Sequence, residues 1–380
     1  MDLAWKRLGQ LTGRQGLKFT IDLFSRETQM LFCEAPELIK SADIDFLIVD
    51  QISNAVATVA DYLQIPYVTV CNAMLLHREL SVPPFFTHWQ YSQSSANSRF
   101  SFSRLRNRIG YSLLNLASSE LRDVIVDQRN EWGLPPYSSY DSPYSKLAQI
   151  IQLPELFDFP RTKLPDHAHY VGQLKESSGI EPVAFDLPAF PFERLNEKPL
   201  IYASLGTLQN QKPEIFRCIA EACKGLDAQL VISLGSPNAQ SFDLPGSPIV
   251  VPFAPHQKLI EMADLVVTHA GMNTVLTALS CGVPIVAIPI TNEQPGIAAR
   301  VEASKVGRSI KLSRLSALKL RNIIIEVLDN PSFRAHSRQM QQHLKDSGGV
   351  VRAADIIEQA AQTGQPVISR RFRSAAAGVA

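Results

Sequence analysis

The chain has 380 residues, 45% hydrophobic and 19% charged, enough for two domains with their own cores. Its net charge of +1 excludes a general attraction to nucleic acid or to acidic membranes. Five scattered cysteines (Cys33, Cys71, Cys218, Cys223, Cys281) have no metal spacing, no apolar run approaches the roughly 18 residues that span a bilayer, and no signal peptide follows Met1, so a reducing, cytoplasmic setting is expected.

Taken in order, residues 1–44 repeat apolar side chains at helical spacing (Trp5, Leu8, Leu11, then Phe19, Leu23, Met30, Leu31). Asp45-Phe46-Leu47-Ile48-Val49-Asp50 reads as a buried strand ending in an acid. A helix over Ser53–Leu63 and a parallel strand over Tyr67–Cys71 follow. Residues 81–103 carry Pro, Phe, Trp, Tyr and Ser without period and read as a long loop, a feature that in a compact domain is usually functional. One long helix is expected from Leu105 to Glu131, with arginines at 104, 106 and 108. Strands are expected at Leu147–Leu153 and near His169–Gly172. Residues 173–197, rich in Pro, Glu and Ser, are the best linker candidate.

A second series of alternating elements then begins: strand Leu200–Ser204, helix Pro213–Lys224, strand Gln229–Leu234, strand Ile249–Pro252. The predicted division is a first α/β domain over 1–175, a linker over 176–197, a second α/β domain over 198–362 and a disordered basic tail over 363–380. Helices should fill most of the chain from Gln294 to about Gln362, with a short strand near Ser309–Lys311.

The stretch Phe253–Gln294 is the richest in chemistry. Leu265-Val266-Val267 is a short strand, Thr268-His269-Ala270-Gly271 breaks it, and Asn273 and Thr274 suit the start of a helix running to Cys281, where Gly282 stops it. Val283–Ile288 is a second strand, so the unit is βαβ. A helix N-terminus presents unpaired N–H groups and partial positive charge, an anion site. Gly271 allows close approach to backbone, and His269, Asn273 and Thr274 add donors, a set suited to a diphosphate. Thr291-Asn292-Glu293-Gln294 closes the second strand with a carboxylate beside an amide, which together can bond several sugar hydroxyls. Singly, each of these residues reads as a helix cap or a polar loop; together they favour a nucleotide-sugar site. Ser204-Leu205-Gly206-Thr207 closes another strand and is either a simple glycine turn or a second phosphate-facing loop.

These residues together resemble the donor signature of UDP-dependent glycosyltransferases of the GT-B type, nearest to the macrolide and carotenoid (zeaxanthin) glucosyltransferase branch. The resemblance implies an α/β fold of two doubly wound Rossmann-like domains facing a cleft. It further implies Phe253 at the nucleobase, His269, Asn273 and Thr274 at the diphosphate, Glu293 and Gln294 at the sugar, and contacts from Gly206 and Thr207. It places His256 where the family often has Gln, and Thr277 where a glutamate usually takes the ribose hydroxyls. Asp50 matches the aspartate that orients a catalytic histidine, the acid fixing its tautomer.

The histidine itself, carried by a Gly-His-x-x-Pro-like turn after the family's first strand, has no counterpart here. The first domain is therefore expected to be incomplete at its N-terminus, with an open sheet edge. His77, His88, His167 and His169 are expected to be loop or surface residues. The implied reaction is inverting transfer of a hexose from a UDP-sugar to a hydroxyl of a lipophilic acceptor, without a metal. The alternative is a nucleotide-sugar-binding protein without turnover. Phe85, Phe86 and Trp89 are the candidate acceptor contacts, and this aromatic loop with Arg99, Arg104, Arg106 and Arg108 could also touch a membrane surface. Asp43-Ile44-Asp45 and His167-Ala168-His169 read as solvated residues rather than metal ligands.

Overall fold

The computed structural model describes residues 2–93, 101–175, 190–208, 210–236 and 243–369. The candidate residue Arg99, most of the linker and the last eleven residues lie outside that set.

The first lobe runs α1 (Asp2–Gln10), α2 (Gly13–Ser41), β1 (Leu47–Asp50), α3 (Asn54–Leu63), β2 (Tyr67–Cys71), α4 (Phe102–Ala117), α5 (Ser119–Glu131), β3 (Gln149–Ile151) and β4 (Ala168–Tyr170). Its sheet is parallel throughout, in the order β1-β2-β3-β4. The short apolar runs therefore sit between helical layers, as parallel strands require. Strand β1 forms an edge, and Ile48 on it is 61% exposed. Phe32 of α2, Ala55 and Val59 of α3 and Ile125 of α5 make one apolar cluster, flanked by Trp132.

The single helix expected over 105–131 is two. Ser118 leaves helical geometry (φ −104°, ψ 18°), and its hydroxyl donates to the Leu114 carbonyl at 2.9 Å. A serine that bonds back to the preceding turn competes with the helical ladder and bends it. The chain bends there, so α4 and α5 can follow different surfaces.

The second lobe runs β5 (Leu200–Ser204), α6 (Pro213–Cys223), β6 (Gln229–Ser233), β7 (Ile249–Val251), α7 (His256–Met262), β8 (Leu265–Thr268), α8 (Met272–Ser280), β9 (Ile285–Ala287), α9 (Gln294–Ala303), β10 (Gly307–Ser309), α10 (Ala317–Asp329) and α11 (Pro331–Asp346). Its parallel sheet has the order β10-β9-β8-β5-β6-β7. The order reverses between β5 and β8, which opens a crevice at the carboxyl ends of those two strands.

A last helix, α12 (Gly349–Thr363), departs from the expected boundary. Ala353, Ile356 and Ala360 pack with Val68, Ala148 and Ile150 of the first lobe. Residues 364–369 follow the same lobe: the Val367 N–H donates to the Leu147 carbonyl at 2.9 Å, and Val367 packs in the same cluster. The chain thus recrosses after α11, because the apolar face of α12 is complementary to the first sheet.

One apolar core joins the lobes. Met74, Leu75, Ile151 and Phe157 cluster with Ala270, Met272 and Val275. Beside it Asp158 of the first lobe binds Arg300 of α9 at 2.7 Å and Arg161 at 2.6 Å, all three nearly inaccessible to solvent. Tyr170 donates to the same carboxylate at 2.9 Å, and the Arg300 guanidinium lies 4.3 Å from the Phe159 ring centroid. Burial alone would raise the Asp158 carboxyl, but the two guanidinium groups outweigh it and hold it down at about 2.

Candidate functional site

The carboxyl ends of both sheets face a cleft of about 1150 Å³. On the second-lobe side, β8 delivers His269 into it. Ala270 then takes a left-handed conformation (φ 65°), and Gly271 stands at the N-cap of α8 with no side-chain cap bond. That leaves the first-turn N–H groups of α8 without an intrahelical partner, and Gly271, Met272, Asn273 and Thr274 all line the cleft. The His269 ring is wedged between two glycines. A Cβ on Gly206 would come within 2.6 Å of the ring, and one on Gly271 within 2.5 Å. Gly206 has φ 73°, so both backbone conformation and space call for glycine there.

Burial pushes His269 down to about 4, overcoming the opposing effect of the Ser204 carbonyl, so the ring is neutral near pH 7. His256 is also pushed to about 4, by burial and by Lys175, and its Nδ1 lies 3.0 Å from the Tyr202 hydroxyl. Phe253, His256 and Tyr202 line the same end of the cleft. The position where the resembled enzymes carry a glutamate is engaged differently here. Thr277 donates to the Asn273 carbonyl at 2.8 Å and accepts from the Gln173 amide at 3.1 Å.

At the opposite end, Asn292 is left-handed (φ 53°) and Glu293 stands at the N-cap of α9. Burial raises the Glu293 carboxyl, partly offset by its own N–H. The Gln294 side-chain oxygen accepts from the N–H groups of Ile290 and Thr291 at 2.8 and 3.1 Å, so it shapes the loop that presents Glu293. The first-lobe helix α2 meets this loop: Thr20 donates to Asn292 at 3.3 Å, and the Gly13 N–H to the Ile290 carbonyl at 2.9 Å.

The donor-side candidates Gly206, Thr207, Phe253, His256, His269, Gly271, Asn273, Thr274, Glu293 and Gln294 all line this one cleft. On the first-lobe side, Asp50 ends β1 behind the lining residues Gln51, Ile52 and Asn72. Its carboxylate accepts from the Ile52 N–H at 3.0 Å and is bonded by Asn72. Burial raises it despite those two bonds. No histidine pairs with Asp50 among the described residues. His77 and His169 are buried, not surface residues: His77 bonds Gln149 at 2.7 Å and lies 3.5 Å from Asp141, and His169 bonds the Val367 carbonyl at 2.8 Å.

Of the three aromatic acceptor candidates only Phe85 lines the cleft. Phe86 stacks edge-on against it at 5.5 Å. Trp89 packs where Gly110 of α4 leaves room and carries the Arg106 guanidinium over its ring at 4.7 Å. The apolar wall comes instead from Leu17, Ile21 and Phe24 of α2 and from Leu114, Leu121 and Ile125 of α4 and α5. The spacing of 17, 21 and 24 is a helical stripe that sequence periodicity could have isolated. Two cross-lobe bonds had no sequence signal: Gln152 to Asn273 at 3.2 Å, and Gln173 to Thr277. No group of three potential metal ligands occurs among the described residues, and no helix there is long and apolar enough to cross a membrane.

Residues 26–347 match the family described as UDP-glucoronosyl and UDP-glucosyl transferase. The chain is 33% identical over 356 residues to a zeaxanthin glucosyltransferase of Pantoea ananas, covering 92% of this chain and 79% of that protein. Among solved structures, the glycotransferase of kitacinnamycin superposes with a TM-score of 0.70 at 18% identity, covering 89% of this chain and 81% of that one. The calicheamicin glycosyltransferase CalG4 superposes with a TM-score of 0.67 at 20% identity, covering 91% and 83%. The two structural likenesses establish the fold, in agreement with the two-lobed architecture.

Proposed function

The chain belongs to the UDP-glucoronosyl and UDP-glucosyl transferase family, and we propose that it transfers a hexose from a UDP-sugar to a hydroxyl of a lipophilic acceptor of carotenoid or macrolide type, with inversion. The observation that carries this reading is the uncapped N-terminus of α8 beside the clamped His269, at the strand-order reversal of the second sheet.

In this reading the diphosphate sits against the first turn of α8. Its charge meets backbone N–H groups, the neutral His269 ring and the hydroxyl of Thr274. These donors are fixed before the reaction, so they stabilise the charge that grows on the departing UDP without reorganising. Asn273 completes the contact, oriented by Gln152. Phe253 and His256 hold the nucleobase end, and Gly206 and Thr207 close over the phosphates. Glu293 and Gln294 receive the sugar hydroxyls. The acceptor lies along the apolar wall of α2, α4, α5 and Phe85. Its hydroxyl oxygen attacks the anomeric carbon from the face opposite UDP, and its proton leaves toward Asp50. The raised carboxyl of Asp50 suits a proton acceptor better than a free aspartate would. The reaction is a cytoplasmic one, at or near membranes that dissolve such acceptors.

Calorimetric titration with UDP and a UDP-hexose, paired with a transfer assay on a carotenoid diol, tests the reading. Nucleotide uptake with transfer supports it. Uptake without transfer selects a binding protein, and no uptake of any nucleotide sugar removes it.

A further inference from the structure

We infer that the outward face of α4 is a docking surface for an anionic lipid bilayer. The inference rests on the proposed function in one respect, that the acceptor is lipophilic, and it names the surface from which such an acceptor is taken. Phe102, Leu105, Ile109, Leu113 and Leu116 are spaced three or four residues apart and are each 53% to 79% exposed. At 3.6 residues per turn they fall within a sector of about 80°. The residues that α4 buries, Asn107, Gly110, Tyr111 and Leu114, lie on the other side. A helix on a globular protein needs one apolar stripe to hold it to the core. This helix carries a second one, facing outward, and a contiguous exposed apolar patch marks an interaction surface.

Charge identifies the occupant. The sixteen residues of α4 include Arg104, Arg106 and Arg108 and no carboxylate, in a chain whose net charge is only +1. By the same angular count Arg106 and Arg108 stand on either side of the stripe. Arg108 is exposed, and Arg106 is held over Trp89 while it donates to the Gln90 carbonyl at 3.2 Å. Apolar side chains bordered by guanidinium groups match the boundary between acyl chains and anionic headgroups. A second copy of the same face would bring like charges together, which argues against self-association there.

Position supplies an independent reason. Leu114 and Asn115 of α4 line the cleft, and Leu121, Ile125 and Val126 of α5 continue its wall. The helix that presents the exposed stripe therefore also borders the acceptor's compartment. An apolar acceptor leaving a bilayer beside Leu113 and Leu116 meets the cleft wall within one turn of helix. The membrane contact expected of the aromatic loop at 81–103 with Arg99, Arg104, Arg106 and Arg108 thus narrows to α4, because Phe85 and Trp89 are packed inward.

Co-sedimentation of the full chain with vesicles of phosphatidylcholine, with and without roughly a third phosphatidylglycerol, tests this. The expected result is pelleting that depends on the anionic lipid and weakens with salt. Ile109→Ser/Leu113→Ser, and separately Arg106→Gln/Arg108→Gln, should each reduce partitioning on the order of tenfold while UDP affinity stays at the wild-type value. Leu116→Ser is the milder variant should a double substitution fail to fold. Pelleting that ignores these substitutions, pelleting equal on both lipid compositions, or a dimer in light scattering that Ile109→Ser/Leu113→Ser abolishes would each overturn the inference. Vesicle binding without UDP uptake would instead leave this face standing and remove the donor site.

Discussion

The two sides of the cleft are built by different means. On the second lobe, the functional groups leave adjacent strands of one sheet: Gly206 after β5, His269 after β8 and Glu293 beyond β9. Two non-glycine residues there, Ala270 and Asn292, hold left-handed backbone, and two glycines fix one histidine ring. The first-lobe side is assembled from α2, α4, α5 and a loop, with apolar side chains converging from positions about a hundred residues apart. A backbone-built anion site should respond steeply to single changes. A wall of many apolar side chains should respond shallowly, because each contributes a small part of the contact.

The sharpest expected contrast lies on the first lobe itself, at Asp50, the carboxylate behind that wall. Asp50→Asn should lower kcat for transfer by about 10²- to 10⁴-fold, the usual worth of a positioned proton acceptor, with UDP affinity unchanged. Steady-state kinetics beside calorimetry reads both, and an unchanged kcat would take Asp50 out of the reaction.

Next in size is the junction between the two sides. Asp158→Asn leaves Arg161 and Arg300 buried without their counter-charge and should cost about 3–5 kcal/mol of stability. Urea or thermal melting checks it; a wild-type midpoint would mean the triad does not hold the lobes.

Acid should then erode the structure in a defined window. His88, His256 and His269 have folded values of about 4, below the ordinary histidine value near 6.5. The unfolded chain therefore binds more protons across that interval, and stability falls as pH drops from about 6.5 toward 4. By pH 5 the deeply buried His256 and His269 should each cost on the order of 1–2 kcal/mol, and the half-buried, solvent-screened His88 less. Melting curves at pH 7 and pH 5 measure the sum, and His88→Gln should flatten the slope.

The smallest effect belongs to the apolar wall. Phe24→Ala should raise the acceptor KM by roughly threefold to tenfold and leave kcat and UDP affinity alone. An equal effect on donor and acceptor would mean that α2 acts on the whole cleft rather than on one side.

The same difference in construction explains what could be read from the sequence. The second lobe's site lies mostly within one βαβ stretch, where glycines, a histidine and helix-start residues mark their own turn. The strand order that makes this turn a crevice is a tertiary fact, but it follows from the alternation of strands and helices. The acceptor wall could not be read in that way. Phe86 and Trp89 are apolar and irregularly spaced, and whether such residues face a cleft or pack on α4 depends on where Gly110 leaves space. Ser118 looks like any helical serine until its hydroxyl is seen on the Leu114 carbonyl. Asp158, Arg161 and Arg300 form one charge cluster across 142 positions, beyond any periodicity. The return of α12 to the first lobe is invisible for the same reason: its apolar stripe would fit either sheet.

A diphosphate held against the first turn of α8 is the claim on which the donor site, the reaction and the contrast all depend. Gly271→Ala tests it most directly, because φ at position 271 is −66° and alanine is conformationally acceptable there, while the new Cβ would press the His269 ring from 2.5 Å. Calorimetry with UDP should show affinity reduced by about tenfold to a hundredfold, with the melting temperature lowered by only a few degrees as the ring shifts. Wild-type affinity for UDP in that folded variant would contradict it.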